Sequence, residues 1–145
     1  MLGFFGSFTN TMDAKGRVAV PAQFRKPGGL EDELMLVPSV NKDSLNLFNI
    51  GDFDAWLESM FGEEGFKAND PVQAQWVDWV CSNAANVEVD KSGRINIPQN
   101  LRDDFGLSEK VLFKGARDHV GIWSPEAWEA RMKDFDPAVI YRPQA

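Results

Sequence analysis

Two places in the chain set an aspartate four residues ahead of an arginine, with a glycine just before the arginine: Asp13-Ala14-Lys15-Gly16-Arg17 and Asp90-Lys91-Ser92-Gly93-Arg94. An acid so placed accepts hydrogen bonds from turn amides and pairs with an arginine at the start of the next strand, fixing that side chain's direction. Glycine gives the turn access to positive φ. The plain alternative is a turn carrying a surface ion pair, which contributes little to stability. That alternative explains one copy better than two, because each turn sits in a basic cluster. Lys15, Arg17 and Arg25 form the first, and Lys91, Arg94 and Arg102 the second. Two strand-turn-strand elements presenting Arg and Lys suit entry into a DNA groove or seating on phosphates.

The two clusters belong to an internal duplication. Residues 13–25, DAKGRVAVPAQFR, align with residues 90–102, DKSGRINIPQNLR, at an offset of 77. Asp, Gly, Arg, Pro and the final Arg are identical, and Val18/Ile95, Val20/Ile97 and Phe24/Leu101 are apolar in both copies. The same offset aligns Gly29-Leu30 with Gly106-Leu107 and Leu34–Leu36 with Val111–Phe113; at an offset of 75, Phe48 and Phe53 meet Trp123 and Trp128. Each copy is a half-domain of about fifty residues, small for an independent core.

The elements that must position these residues follow from patterning. Phe4 to Met12 reads as a strand and Arg17 to Val20 as a strand returning from the turn, so the expectation is a β-hairpin. Pro21 suits the first turn of a short helix to Arg25. Leu34–Val37 and Leu45–Phe48 read as strands. Asp52 is placed to cap a helix carrying Phe53, Trp56, Leu57, Met60 and Phe61 on one stripe. A second helix starts with Asp70 as N-cap and Pro71 at its first position, and sets Val72, Trp76, Trp79, Val80 and Asn83 on one face for pairing with the first. Cys81, within it, reads as a buried small residue. The second copy repeats the scheme with Val87–Asp90, Arg94–Ile97, a short turn of helix from Pro98, Val111–Lys114 and Val120–Trp123. Its closing helix starts near Ser124 with Pro125, and buries Trp128 and Met132. The tail after Phe135, with Pro137 and Pro143, reads as loose.

Composition bounds the rest. The chain has 145 residues, 43% of them hydrophobic and 26% charged, as a packed globular protein does. No segment approaches the roughly 20 apolar residues of a spanning helix, and the N-terminus does not read as a signal peptide. One cysteine and one histidine leave no intramolecular disulfide and little metal or triad chemistry. The net charge of −7 argues against a nucleic-acid binder, but it is unevenly spread. Residues 1–30 carry a net +3, whereas residues 31–80 carry eleven acids against Lys42 and Lys67. The acidic block is a solvated face or one pole of a polarised particle whose other side stays basic.

Two copies of the DxxxR motif (13–25 and 90–102), with Asn69-Asp70-Pro71-Val72 opening the inter-repeat helix, resemble the MraZ family, and each copy resembles a SpoVT-AbrB-type swapped-hairpin domain. The likeness spans roughly residues 4–135. It implies an α+β fold in which two double-psi-like swapped-hairpin half-domains form a small β-barrel, with an inter-repeat helical pair. The divisions would be repeat 1 at 7–52, the helical pair at 53–83, repeat 2 at 84–127, and a C-terminal helix and tail at 128–145. The implied function is a sequence-specific transcriptional regulator of the division and cell wall gene cluster, cytoplasmic and nucleoid-associated. Its partners would be repeated sites on double-stranded DNA and further copies of itself in a ring, with no cofactor, metal, membrane or small-molecule substrate. Lys15, Arg17, Arg25, Lys91, Arg94 and Arg102 would be the DNA-binding residues, with Arg17 foremost, and Asp13 and Asp90 the turn-stabilising acids. Arg25 and Arg102 fit either a structural role or a phosphate contact. Where the family's inter-repeat helix is usually arginine-rich, this one has Gln73, Gln75 and Asp78, which points to weaker non-specific affinity.

Two rival classes stand beside this reading. No nucleophile motif or phosphate-binding glycine loop marks an enzyme, and His119 reads as a surface histidine in the loop before the last strand. The other class is an interaction protein: the single short tail and two hairpin copies per chain disfavour an antitoxin-like module, while the net charge of −7 keeps a purely structural ring without specific DNA binding as the alternative. The two halves are expected to pair within one chain, because the duplication supplies both partners.

Overall fold

The computed structural model describes residues 3–141; Met1, Leu2 and, in the tail, Pro143 lie outside them. In chain order the elements are β1 (Ser7–Thr11), β2 (Arg17–Ala19), a 3-10 turn (Ala22–Phe24), β3 (Glu33–Pro38), β4 (Leu45–Asn49), α1 (Ile50–Ser59), α2 (Pro71–Asn83), β5 (Ala85–Glu88), β6 (Arg94–Asn96), α3 (Gln99–Asp104), β7 (Lys110–Gly115), β8 (Val120–Trp123), α4 (Pro125–Met132) and a 3-10 turn (Pro137–Tyr141). The fold is α+β with antiparallel sheets.

Six strands form one sheet in the order β1-β7-β8-β4-β3-β5, and β2 pairs with β6 in a second. Read from either end, the six-stranded order gives the same succession of repeat elements. The first strand of each copy pairs with the third strand of the other: β1 with β7 (Ser7 opposite Lys114) and β5 with β3 (Val87 opposite Leu34). The hairpins β3–β4 and β7–β8 meet in the middle, Asn46 opposite Gly121. A pseudo-twofold relation therefore runs through the β4–β8 and β2–β6 pairs, and the two halves do pair within one chain.

This corrects the expected hairpin. β1 and β2 are not laddered to each other; the Asp13 N–H to Arg17 carbonyl bond (2.9 Å) closes the turn, and Asn10 Nδ2 donates to the Ala19 carbonyl at 2.6 Å. A three-residue strand gains little from a local partner. Paired with its own duplicate, β2 extends its ladder through Val20 N–H to the Gly93 carbonyl and Ile97 N–H to the Gly16 carbonyl, both 2.9 Å.

Period-two alternation sorts the side chains. Leu34, Leu36, Leu45, Leu47, Val111, Phe113, Val120 and Ile122 face one side of the large sheet and pack with Val18, Val20, Ile95 and Ile97 of the small one, all buried. The other side carries Val37 and Phe48, covered by Phe53 and Trp56 of α1 and Val80 of α2, with Trp76 and Trp79 half-buried at the rim. Trp56 and Trp76 meet at 5.9 Å, so α1 and α2 do form a helical pair.

The helix starts divide. Asp70 accepts from Val72 and Gln73 N–H at 2.9 and 3.3 Å, and Ser124 accepts from Ala127 N–H at 3.1 Å, as expected. Asp52 does not cap α1; it lies within the first turn. The helix begins directly after β4 with Asn49 at the N-cap position, and the Asn49 side chain bonds the preceding loop instead of the helix, accepting from Glu31 N–H (2.8 Å) and donating to the Gly29 carbonyl (3.0 Å). Several burial expectations also fail at the molecule's outer layer. Val72 and Met60 are exposed, Cys81 is exposed because it lies off the stripe centred on Val80, Trp128 is only half-buried and Met132 is exposed. His119 does lie just before β8, but it is half-buried, 5.0 Å from the Phe48 ring and 2.7 Å from Asp118 Oδ1. Part of the tail forms the second 3-10 turn.

Candidate nucleic-acid interface

The β2–β6 ladder sets Arg17 opposite Asn96 and Ala19 opposite Arg94. Between them Val18 and Ile95 point into the core, fully buried, so alternation turns Arg17, Ala19, Arg94 and Asn96 to the outside. The two arginines stand diagonally across this ribbon, two strand residues (about 7 Å) apart along it. An antiparallel two-stranded ribbon is one of the shapes the DNA major groove admits.

Each arginine leaves a turn of the same build. Asp13 Oδ1 accepts from Lys15 and Arg17 N–H, both at 2.9 Å, and Oδ2 accepts from Arg17 Nε at 3.0 Å. Only Nε is spent in this pair, so the terminal nitrogens, which make two-pronged contacts to guanine or phosphate, remain for a ligand. In the second turn Asp90 Oδ1 accepts from Ser92 and Arg94 N–H at 2.8 and 3.0 Å, but Arg94 Nε stands 3.4 Å from Oδ2 and, though buried, has no hydrogen bond. Both carboxyls are held below the ordinary aspartate value of 3.8, chiefly by the arginine backbone N–H. Gly16 and Gly93 take φ of 90° and 79°, the left-handed region that the turn requires.

The structure thus brings six predicted residues to the ribbon and the turns that flank its two ends: Asp13, Lys15 and Arg17 at one, Asp90, Lys91 and Arg94 at the other. Lys15 and Lys91 are exposed on their turns. Arg25 and Arg102 behave differently. Arg25 Nε donates to the Val20 carbonyl (3.3 Å) and Arg102 Nε to the Ile97 carbonyl (2.9 Å), so both are tied to backbone at the ends of the ribbon. Sequence reasoning missed Asn96, an exposed amide facing outward beside Arg17. Alternation from Arg94 signalled it, but its counterpart in the first copy is Ala19, so the repeat did not.

Charge placement fits this polarity. Asp52, Asp54, Glu58, Glu63, Glu64, Asp70 and Asp78 all lie on α1, on α2 or between them, across the large sheet from the ribbon. Among the described residues no group of three or more His, Cys, Asp or Glu is placed to hold a metal ion, and no helix is long and apolar enough to cross a membrane.

The structure defines a duplicated α+β protein whose copies exchange strands and whose paired turns present arginines from a short ribbon. Comparison with known proteins narrows this. The chain is 36% identical over 134 residues to the transcriptional regulator MraZ of Acetivibrio thermocellus, covering 90% of this chain and 87% of that one. It is 34% identical over 132 residues to its namesake in Lachnoclostridium phytofermentans (90% and 88%) and 34% over 128 residues to that of Natranaerobius thermophilus (87% and 84%). Residues 80–138 match the family described as "MraZ protein, putative antitoxin-like". The chain belongs to the MraZ family.

Proposed function

We propose that this chain is a sequence-specific DNA-binding transcriptional regulator, acting on repeated sites upstream of the division and cell wall gene cluster. The observation that carries the reading is the ribbon: Arg17, bonded to Asp13, and Arg94, ion-paired with Asp90, on one outward face with Asn96 between two lysine-bearing turns. Arg17 and Asn96 have the chemistry to read base edges, while Lys15, Lys91 and Arg94 suit phosphates. In this reading the two sheets close as a small double-psi-like barrel, with 7–52 and 84–127 as its repeats. The barrels assemble into a ring that places many ribbons on successive DNA repeats, in the cytoplasm at the nucleoid. Exposed apolar side chains at Val40, Val72 and Ile140 supply surface for that assembly. Affinity then comes from effective concentration rather than from a large basic face, which reconciles DNA binding with a net charge of −7.

The test is binding of wild type, Arg17→Ala and Arg94→Ala to a promoter duplex with several spaced repeats. Loss of preference for the repeats over a scrambled duplex in Arg17→Ala supports the reading. Wild-type protein that ignores both duplexes at low salt favours the protein-interaction ring, to which the acidic α1–α2 layer would then be the guide.

A further inference from the structure

Arg25 and Arg102 each touch the turn of the copy to which they do not belong. A Cβ added to Gly16 would lie 2.6 Å from Arg102 Nε and 2.8 Å from its Cζ; one added to Gly93 would lie 2.8 Å from Arg25 Cζ and Nη2. Each guanidinium therefore covers the turn glycine of the opposite repeat, in a space that exists only because that residue has no side chain.

Two hydrogen bonds and this contact together make a closed circuit. The Gly16 carbonyl accepts from Ile97 N–H (2.9 Å), the Ile97 carbonyl accepts from Arg102 Nε (2.9 Å), and the Arg102 guanidinium returns to Gly16. The mirrored circuit runs from Gly93 through Val20 N–H (2.9 Å) and the Val20 carbonyl (3.3 Å) to Arg25 and back to Gly93. The same arrangement forms twice, across the pseudo-twofold relation. A planar guanidinium can press on a glycine and donate sideways at once; an ammonium on a flexible stem cannot.

We propose that Arg25 and Arg102 are positioning residues that act crosswise: Arg102 of the second repeat holds the DNA-facing turn of the first, and Arg25 of the first repeat holds that of the second. The inference deepens the DNA-binding reading and rests on it for the meaning of the turns. The coupling itself does not need DNA. An arginine that merely met phosphate would be replaced adequately by lysine. A positioning arginine would not, whereas glutamine, whose amide nitrogen falls where Nε stands, keeps the carbonyl bond without the charge.

The experiment pairs amide hydrogen exchange on the free protein with DNA titrations for Arg102→Lys and Arg102→Gln. The expected result is crossed. Exchange in residues 13–17 rises about tenfold in Arg102→Lys, with residues 90–94 unchanged, and rises less in Arg102→Gln. DNA affinity of Arg102→Lys falls about tenfold at every salt concentration, with the slope of log K against log salt unchanged, because the charge count is the same. Exchange at residues 13–17 equal to wild type in Arg102→Lys overturns the proposal, as does faster exchange confined to residues 90–94. If the lysine variant does not fold, Arg102→Gln decides: unchanged exchange at 13–17, together with a salt slope reduced by about one, makes Arg102 a phosphate contact. Should wild type fail to bind DNA, the regulator reading falls while the exchange result still decides the crossed coupling.

Discussion

Arg17 and Arg94 each follow a glycine and stand four residues after an aspartate, but they are not held alike. Arg17 Nε donates to Asp13 Oδ2 at 3.0 Å, while Arg94 Nε, at 3.4 Å from Asp90 Oδ2, makes no hydrogen bond. A guanidinium with one edge already fixed loses less freedom when its other edge meets a base. Arg17→Ala should accordingly weaken binding to repeat DNA by about 5- to 100-fold and lower preference for the repeats, more than Arg94→Ala does, in anisotropy titrations. The acids set a pH limit. Both carboxyls titrate below 3.8, so their stabilisation of the turns is full above that value and disappears as pH falls through the lowered folded-state values. Thermal melts from pH 5 to pH 2.5 should show a smaller fall for Asp13→Asn/Asp90→Asn than for wild type, since an amide oxygen still accepts the turn N–H groups but does not titrate. These residues were legible in the sequence because Asp, Gly and Arg recur at fixed spacing. The role of Arg25 and Arg102 was not, because it depends on which turn each one reaches.

Elements were legible where a local signal also decides the geometry. Asp70-Pro71 and Ser124-Pro125 announce helix starts through the side-chain oxygen and the missing N–H of proline, and both caps form. Asp70→Ala should cost about 1 kcal/mol, read by denaturant unfolding, with α2 the first element to fray in hydrogen exchange. The start of α1 misled because Asn49 is claimed by the Gly29–Glu31 loop, a contact 18 to 20 residues away that no window shows. The hairpin misled for a similar reason. Strand-turn-strand patterning states that two strands exist and leaves their partners open; duplication then offers each three-residue strand an identical mate, and the ladder forms across the copies.

Across the whole molecule, exchange of strands means that neither repeat has a core of its own. Leu47 in one copy and Val120 in the other are opposed on neighbouring strands and both fully buried. Leu47→Ala should destabilise by roughly 2–5 kcal/mol and leave a single unfolding transition by circular dichroism and fluorescence alike. Two separated transitions would mean that the halves fold independently. Intrachain pairing was legible because duplication supplies both partners. The exposure of Val72, Met60 and Met132 was not, because amphipathic spacing marks an apolar face without saying whether the same chain covers it. Seven of the acidic block's eleven carboxylates are seen as a pole only once α1 and α2 are placed behind the large sheet, away from the ribbon. With so small a basic face, the central claim is that binding is multivalent and electrostatic at the ribbon. It is tested most directly by titrating wild-type protein against duplexes carrying one or several spaced promoter repeats, across a range of salt. The account predicts affinity rising at least tenfold from one repeat to several, with a steep loss on adding salt; equal affinity for single-repeat, multiple-repeat and scrambled duplexes would contradict it.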